Sequence, residues 1–101
     1  MAAYVIADVT VKNPDVYAEY RSQVLATVSK YGGRFLVRGG ASSVLEGDWR
    51  PGRVVVIEFP DHATALACYR SPEYAHALAL RTAASAAVFM IIDGYDGPQP
   101  A

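Results

Sequence analysis

The alternation of apolar and polar residues along the chain predicts four β-strands separated by helical segments. In the first segment every second residue is apolar, and the polar residues Asp8 and Thr10 share the opposite phase, which is typical of a strand. Segments that contain runs of apolar residues follow at three later points. The predicted strands are 4–11, 34–40, 53–59 and 86–93. A glycine kink at Gly39 and Gly40 would allow the second strand to continue through 43–47.

Capping residues mark where the helices begin and end. Asn13 and Pro14 predict the start of the first helix, because asparagine caps free N–H groups and proline fits the first turn. Gly32 accepts the left-handed conformation that ends this helix. Ser71 is a second capping signal within the later helical region, so that region is predicted in two pieces. The pieces cover about 61–69 and about 72–82.

The order βαββαβ is the ferredoxin-like pattern, an α+β fold in which the helices cover one face of a four-stranded antiparallel sheet. Strand three has four consecutive apolar residues and strand four has five, whereas a sheet with one wet face should alternate. The uncovered face measures about 300 Å² from strand rise and spacing. Exposed apolar patches of this size usually mark a partner. We therefore expect a homodimer, a dimeric α+β barrel whose two sheets enclose a space.

The composition predicts one domain over residues 1–101, with 94–101 as an extended tail. Hydrophobic residues make up 52% and charged residues 19%, which supplies a core and excludes a disordered chain. A net charge of −1 without a basic run argues against nucleic-acid and membrane partners. The single cysteine, Cys68, excludes an internal disulfide and a multi-cysteine metal site. Neither a signal peptide nor a membrane span is predicted, so we expect a cytoplasmic protein.

An ordered set of short motifs extends along most of the chain. It comprises Asn13-Pro14 with Tyr17 and Tyr20, Tyr31-Gly32-Gly33, Arg38-Gly39-Gly40, Leu45-Glu46-Gly47 with Trp49, Glu58-Phe59, Ser71-Pro72-Glu73-Tyr74, Arg81 and Asp93-Gly94. In these residues the chain from Ala3 to Gly94 resembles the bacterial family known as domain of unknown function 1330, of the dimeric α+β barrel superfamily. The resemblance implies a ferredoxin-like dimer with a pocket inside the barrel or between sheet and helices. Relatives in the superfamily include cofactor-free monooxygenases, lactone isomerases and haem-degrading enzymes, which implies no particular reaction here.

Arg38 and Glu58 are the first candidates for a ligand-binding site. Strand alternation places both on the phase opposite the helix-facing residues, and therefore toward the dimer interior. The Arg38 guanidinium is suited to binding a carboxylate or enolate oxygen at two points, with Glu58 as a base. The alternative is that the two side chains neutralise each other or an interface partner.

Five further residues are candidates, each with a structural alternative. Asp8 is suited to proton transfer among apolar neighbours, or is a solvated or hydrogen-bonded structural carboxylate. Glu46, Trp49 and Arg53 flank the turn before strand three, where Trp49 either covers a pocket mouth or packs over a loop. Tyr74 either reaches the pocket or is a packed aromatic residue. Arg81 lies on nearly the same helix face as Tyr74, and a surface charge is the favoured interpretation.

Other kinds of site find no support in the sequence. His62 and His76 lack metal-ligand spacing, so we predict neither a metal site nor a cofactor. Phosphate-binding loops and serine-nucleophile signatures are absent from the sequence. The leading hypothesis is a dimer that binds a small oxygenated or anionic organic molecule, with cofactor-independent proton transfer or monooxygenase- or isomerase-like chemistry as its possible reaction. The alternative is a non-catalytic ligand-binding or stress-associated module of the same shape.

Overall fold

The computed structural model describes residues 1–100 and confirms the βαββαβ order, with the second helical region in two pieces. The elements are β1 Ala3–Val11, α1 Pro14–Lys30, β2 Arg34–Arg38, β3 Arg53–Phe59, α2 His62–Tyr69, α3 Pro72–Ala84 and β4 Ser85–Asp93. The four strands form one antiparallel sheet in the order β2-β3-β1-β4, the ferredoxin-like topology. Residues 94–100 form neither helix nor strand, and Ala101, the end of the expected tail, lies outside the described residues.

Each helix begins at a side chain that accepts a hydrogen bond from a free backbone N–H group. Asn13 accepts from the N–H of Val16 at 3.3 Å, and Asp61 accepts from the N–H of Thr64 at 2.7 Å. Ser71 opens α3 in the same way. These caps separate α2 from α3, as the sequence predicts, and place the two short helices against the sheet.

The core lies between the sheet and the helices. On β1 the residues Val5, Ala7 and Val9 are buried, and on β3 the residues Val55, Ile57 and Phe59 point to the same side. The tyrosine stripe of α1 packs onto them. On the opposite side of the sheet, which we name the open face, large apolar side chains remain exposed: Ile6, Val37, Val88, Met90 and Ile92. The helices therefore cover one face of the sheet and leave the other to solvent.

A β-bulge at Leu36 reverses the alternation of β2. Phe35 pairs with Ile57, but Val37 then pairs with Val56 and Arg38 with Val55. Because one extra residue flips every later side chain to the other face, Arg38 points toward the helices and Val37 toward the open face. The prediction that Arg38 shares the open face with Glu58 is wrong for this reason.

The predicted extension of strand two through 43–47 is also wrong. The Gly39 N–H donates to the carbonyl of Val54 at 2.8 Å, and pairing stops there because β3 begins at Arg53. No strand of the sheet is then left beside residues 43–47, so the backbone has no partner for a ladder. Residues 39–52, which we name the long loop, instead leave the sheet edge without helix or strand.

Across residues 1–100 no helix combines the length and the apolar character that crossing a bilayer requires.

Candidate functional site

The structure divides the seven predicted site residues between the two sides of the sheet. Asp8 and Glu58 lie on the open face, and the long loop brings Trp49 and Glu46 next to it. The other three, Arg38, Arg53 and Tyr74, lie on the helix side. The single site expected from the sequence is therefore two separate groups, with the sheet between them.

Asp8 holds the long loop against the open face. One carboxylate oxygen accepts from the indole Nε1 of Trp49 at 2.7 Å, and the other accepts from the backbone N–H of Gly52 at 2.8 Å. Both oxygens are thus occupied by donors within the chain. The geometry favours the hydrogen-bonded structural alternative for Asp8 over a role in proton transfer.

Glu58 pairs with a different arginine from the one predicted. Its Oε1 accepts from the Nε of Arg34 at 2.8 Å, and its Oε2 accepts from the Tyr4 hydroxyl at 3.3 Å. Arg34 is the cross-strand partner of Glu58, ahead of the bulge that turns Arg38 to the other face. Arg38 and Glu58 therefore do not form one binding pair.

Trp49 borders two clefts on the open face. The first, of about 290 Å³, lies over the sheet beside Ile6, Asp8 and Met90. The second, of about 270 Å³, lies under the long loop and is bordered by Glu46 and Leu45. Trp49 lies between the two clefts, and whether it covers a pocket mouth there stays a prediction.

The helix side contains a cavity with a wider cleft at its entrance. The cavity, of about 30 Å³, is bordered by the Tyr20 and Tyr74 rings, whose hydroxyl oxygens are 3.0 Å apart. The adjoining cleft, of about 360 Å³, opens beside β4 and α2. Val5, Tyr69 and Phe89 border both spaces. We name the two together the aromatic cleft, because its walls are largely aromatic and aliphatic carbon.

Arg81 is buried beside the aromatic cleft, which corrects the prediction of a surface charge. It is only 7% exposed, and its guanidinium lies over the Phe89 ring at 4.2 Å. Its Nε has no hydrogen-bond partner within residues 1–100. A buried cation that lacks a counter-ion is unfavourable on its own, and the Nε–H of this guanidinium is a buried donor without an acceptor in that part of the chain.

The two cleft tyrosines are kept protonated. Burial, followed by the neighbouring Tyr74, raises the pKa of Tyr20 above its ordinary value. Burial also raises the pKa of Tyr74, while its hydrogen bond to Tyr20 and the Arg81 charge act in the opposite direction. Both phenols therefore keep their protons at neutral pH: one O–H donates to the other hydroxyl, and the second is left to donate at the inner end of an apolar space.

A histidine and a carboxylate meet at the outer end of the same cleft. His62 Nδ1 lies 2.8 Å from the Asp93 carboxylate, and His62 borders the wider part of the cleft. A carboxylate on Nδ1 fixes the ring tautomer and leaves Nε2 as an acceptor, the arrangement of a general base. Sequence reasoning missed this pair because only the fold brings the start of α2 to the end of β4.

Arg81 and Tyr20 were also missed as site residues, although the sequence contained one signal for each. Arg81 lies seven residues after Tyr74, which places both on one face of α3. Tyr20 lies in the core, on the face of α1 that also carries Tyr17 and Val24. The sequence does not show that the two tyrosine hydroxyls meet. Within residues 1–100, no three His, Cys, Asp or Glu side chains converge as metal ligands would.

Comparisons with known proteins identify the family and the fold. The family model described as a domain of unknown function, DUF1330, matches residues 2–95. Among curated proteins, none matches the chain. A solved protein of unknown function from Rhodopseudomonas palustris is 19% identical, with a TM-score of 0.78, over 95% of this chain and 84% of its own.

Two solved structures with a stated activity share the same fold. SnoaB, a cofactor-independent oxygenase from Streptomyces nogalater, is 14% identical with a TM-score of 0.65, over 95% of each chain. An antibiotic biosynthesis monooxygenase is 16% identical with a TM-score of 0.59, over 94% of this chain and 99% of its own. At these identities the likeness establishes the fold alone.

Proposed function

Since this chain belongs to the DUF1330 family, which has no stated activity, we propose a function from the site itself: it binds a small oxygenated or anionic organic molecule in the aromatic cleft. Tyr69 and Phe89 form walls that suit a flat or apolar ligand body. Tyr20 and Tyr74, which border the inner cavity, and Arg81, which packs on the Phe89 ring of the cleft wall, supply the polar end that fixes its orientation. Tyr74 is the one predicted ligand-binding residue that borders this space.

The buried Arg81 guanidinium, whose Nε–H has no acceptor among the described residues, carries the proposal. Buried charges in proteins are ordinarily paired. The Arg81 charge acts on the phenols of Tyr20 and Tyr74, which are neutral and so supply no counter-charge. A carboxylate or enolate oxygen in the cleft would supply the missing counter-charge. The surrounding carbon atoms lower the local dielectric, so such an ion pair is stronger here than on the surface.

The reaction that fits these residues is proton transfer without a cofactor. In this proposal His62, held by Asp93, accepts a proton from the carbon next to a ligand carbonyl. The electron pair left on the ligand moves to the carbonyl oxygen, and Arg81 with the tyrosine hydroxyls stabilises that oxygen. The fold shared with the cofactor-independent oxygenase SnoaB supports chemistry of this class. His62 then returns the proton to the enolate at another carbon, which completes an isomerisation. Alternatively the enolate carbon forms a C–O bond with dioxygen, and the peroxide anion so formed takes the proton from His62 to give a hydroperoxide.

The test is binding and hydrogen–deuterium exchange with a panel of flat enolisable ketones and aromatic carboxylates. We expect saturable binding to the wild-type protein and at least a tenfold loss in Arg81→Gln, because a charge-assisted bond is lost. Arg50→Gln removes the same charge from the long loop and serves as the control. Equal binding by Arg81→Gln and wild type would contradict the proposal.

Exchange separates the catalytic proposal from the non-catalytic alternative. An enzyme should incorporate deuterium next to the ketone, measured by proton NMR in D₂O, and His62→Gln should abolish incorporation while binding persists. The alternative, a ligand-binding or stress-associated module, predicts binding with no incorporation in any variant.

We also propose that a second copy of the chain covers the open face. The molecule is a plate of 46 × 33 × 16 Å with apolar side chains exposed on one side. A stable interface buries about 800 Å² on each partner, more than the sheet face alone supplies. The long loop adds the remainder, since Leu45 is 90% exposed at its tip. In such a dimer the two open-face clefts, with Trp49 and Glu46, become enclosed.

A further inference from the structure

A second group of charged side chains lies on the helix side, separate from the aromatic cleft. Arg21 from α1, Arg38 from β2 and Arg53 from β3 border one shallow cleft of about 30 Å³. We name it the arginine cleft. Tyr20, Val24 and Ile57 border both this cleft and the inner cavity of the aromatic cleft, and so form the wall between them. Three cations from three elements thus converge on one small space.

The backbone is shaped to bring two of these cations together. The bulge at Leu36 turns Arg38 to the helix side, where it pairs with Val55, two residues from Arg53 on the same face. Side chains related in this way are diagonal neighbours across a strand pair. Gly39 has a positive φ of 72°, and a Cβ there would lie 2.6 Å from Nη1 of Arg53. Glycine at 39 therefore leaves the space that the Arg53 guanidinium occupies.

Arg38 is also held in place by an aromatic ring. Its guanidinium lies over the Phe35 ring at 4.5 Å, within the range of a cation–π contact. This contact positions the planar group at the cleft wall before any ligand arrives. Because the Arg38 side chain is already ordered in the folded protein, binding a ligand costs less conformational entropy.

None of the three arginines has a counter-ion in the described part of the chain. The ion pairs among residues 1–100 are Lys30 with Glu73, Arg34 with Glu58, and His62 with Asp93. Glu58 of β3 points to the open face, where it pairs with Arg34. Like charges placed side by side repel each other, so the arrangement raises the energy of the empty protein.

We propose that the arginine cleft binds the oxyanion group of a small molecule, a phosphate or a carboxylate. Guanidinium groups match both anions through paired N–H donors. The cleft volume corresponds to about two water molecules, which suits one oxyanion group and excludes a large ligand body. This inference does not depend on the proposed function of the aromatic cleft, because different residues carry it.

The test is a titration of the full-length protein with inorganic phosphate and, separately, malonate, at constant ionic strength kept by chloride. The readout is the NMR signal of the arginine Nε–H groups and the fitted dissociation constant. We expect saturable shifts at Arg38 and Arg53. Arg38→Gln and Arg53→Gln should each weaken binding about tenfold or more, from the loss of a charge-assisted bond. Arg50→Gln, which removes an exposed arginine of the long loop, should bind as the wild type does.

Two results would overturn the inference. One is linear, non-saturating shifts with both anions, or equal affinity in all variants, which would mean general charge attraction. The other is a change of subunit number in Arg38→Gln and Arg53→Gln without a change in anion affinity, which would assign the arginines to an interface. Amide spectra establish that each variant is folded, and Arg38→Lys, which keeps the charge but loses the paired donors, should bind more weakly than the wild type.

Discussion

The indole of Trp49 donates a 2.7 Å hydrogen bond to the carboxylate of Asp8, across 41 residues of sequence. The second oxygen of Asp8 accepts from the backbone N–H of Gly52, so one carboxylate fixes both a side chain and the backbone of the long loop. Because the rest of that loop is exposed and forms neither helix nor strand, Asp8 is its main attachment to the sheet. The same bond sets the position of Trp49 between the two open-face clefts.

Asp8→Asn should therefore release the loop while leaving the sheet intact. An amide in place of the carboxylate weakens two charge-assisted hydrogen bonds, and we expect a loss of about 1 to 2 kcal/mol in the free energy of unfolding. The measurement is denaturant unfolding together with the fluorescence of Trp49, the single tryptophan. Asp48→Asn, which removes a carboxylate from the same loop, is the control. Unchanged fluorescence and stability in Asp8→Asn would show that other contacts hold the loop.

Local sequence signals predicted most of the fold. Asn13 and Ser71 each cap a helix as predicted, since capping depends on a side chain and the backbone three residues away. The apolar runs of β3 and β4 correctly indicated that the uncovered face of the sheet carries apolar side chains. These features are determined within a few residues, so the sequence alone was sufficient.

The candidate site was harder to predict, because one inserted residue changes it. Leu36 bulges from β2 and sends Arg38 to the opposite face, away from Glu58. Nothing in the alternation of residues 34–38 marks the bulge, since it depends on pairing with β3. The pairing of His62 with Asp93 likewise depends on the position of β4 in the sheet. Such contacts between distant residues are set by topology and register.

Val88→Glu should prevent the proposed pairing of two copies. Val88 is exposed on the open face, and burying a carboxylate there against a second sheet is unfavourable. Analytical ultracentrifugation should show the wild type at twice the chain mass of 10.9 kDa and Val88→Glu as a single chain. Ala26→Glu introduces the same charge on the exposed side of α1 and should remain paired. A wild-type protein that sediments as one chain would exclude the dimer.

The stability of the protein should fall in alkaline solution in a way that depends on Cys68. Burial, and then the nearby Glu73 charge, raises the pKa of the Cys68 thiol from 9.0 to about 11. Between those values the unfolded chain releases the proton while the folded chain retains it, so the folded state loses stability as pH rises. Below pH 9.0 this contribution to stability is fully present.

Cys68→Ala removes that titration, and both proteins keep the same tyrosines. The difference in unfolding free energy between wild type and Cys68→Ala should therefore shrink from pH 8.5 to about pH 11, as measured by denaturant unfolding. Thiol reagents should also react slowly with the folded wild type at pH 8, because the thiolate is the reactive form. Parallel stability curves over this range would contradict the assignment.

Arg81→Met tests whether the buried guanidinium serves the fold or a ligand. Arg81 packs on Phe89, and a methionine, although shorter, keeps an apolar side chain in that place while it removes a buried charge with no counter-ion. Replacing buried charges by apolar groups is often neutral or stabilising by about 1 to 4 kcal/mol. We therefore expect Arg81→Met to be at least as stable as the wild type in denaturant unfolding. Tyr20 and Tyr74 should keep their mutual hydrogen bond.

A loss of about 2 kcal/mol or more in the free energy of unfolding would mean that Arg81 has structural partners, since removing one partner of a buried charge pair is strongly destabilising. Retained stability would mean instead that the fold tolerates an unsatisfied cation, as a protein does when that cation is needed to bind something else.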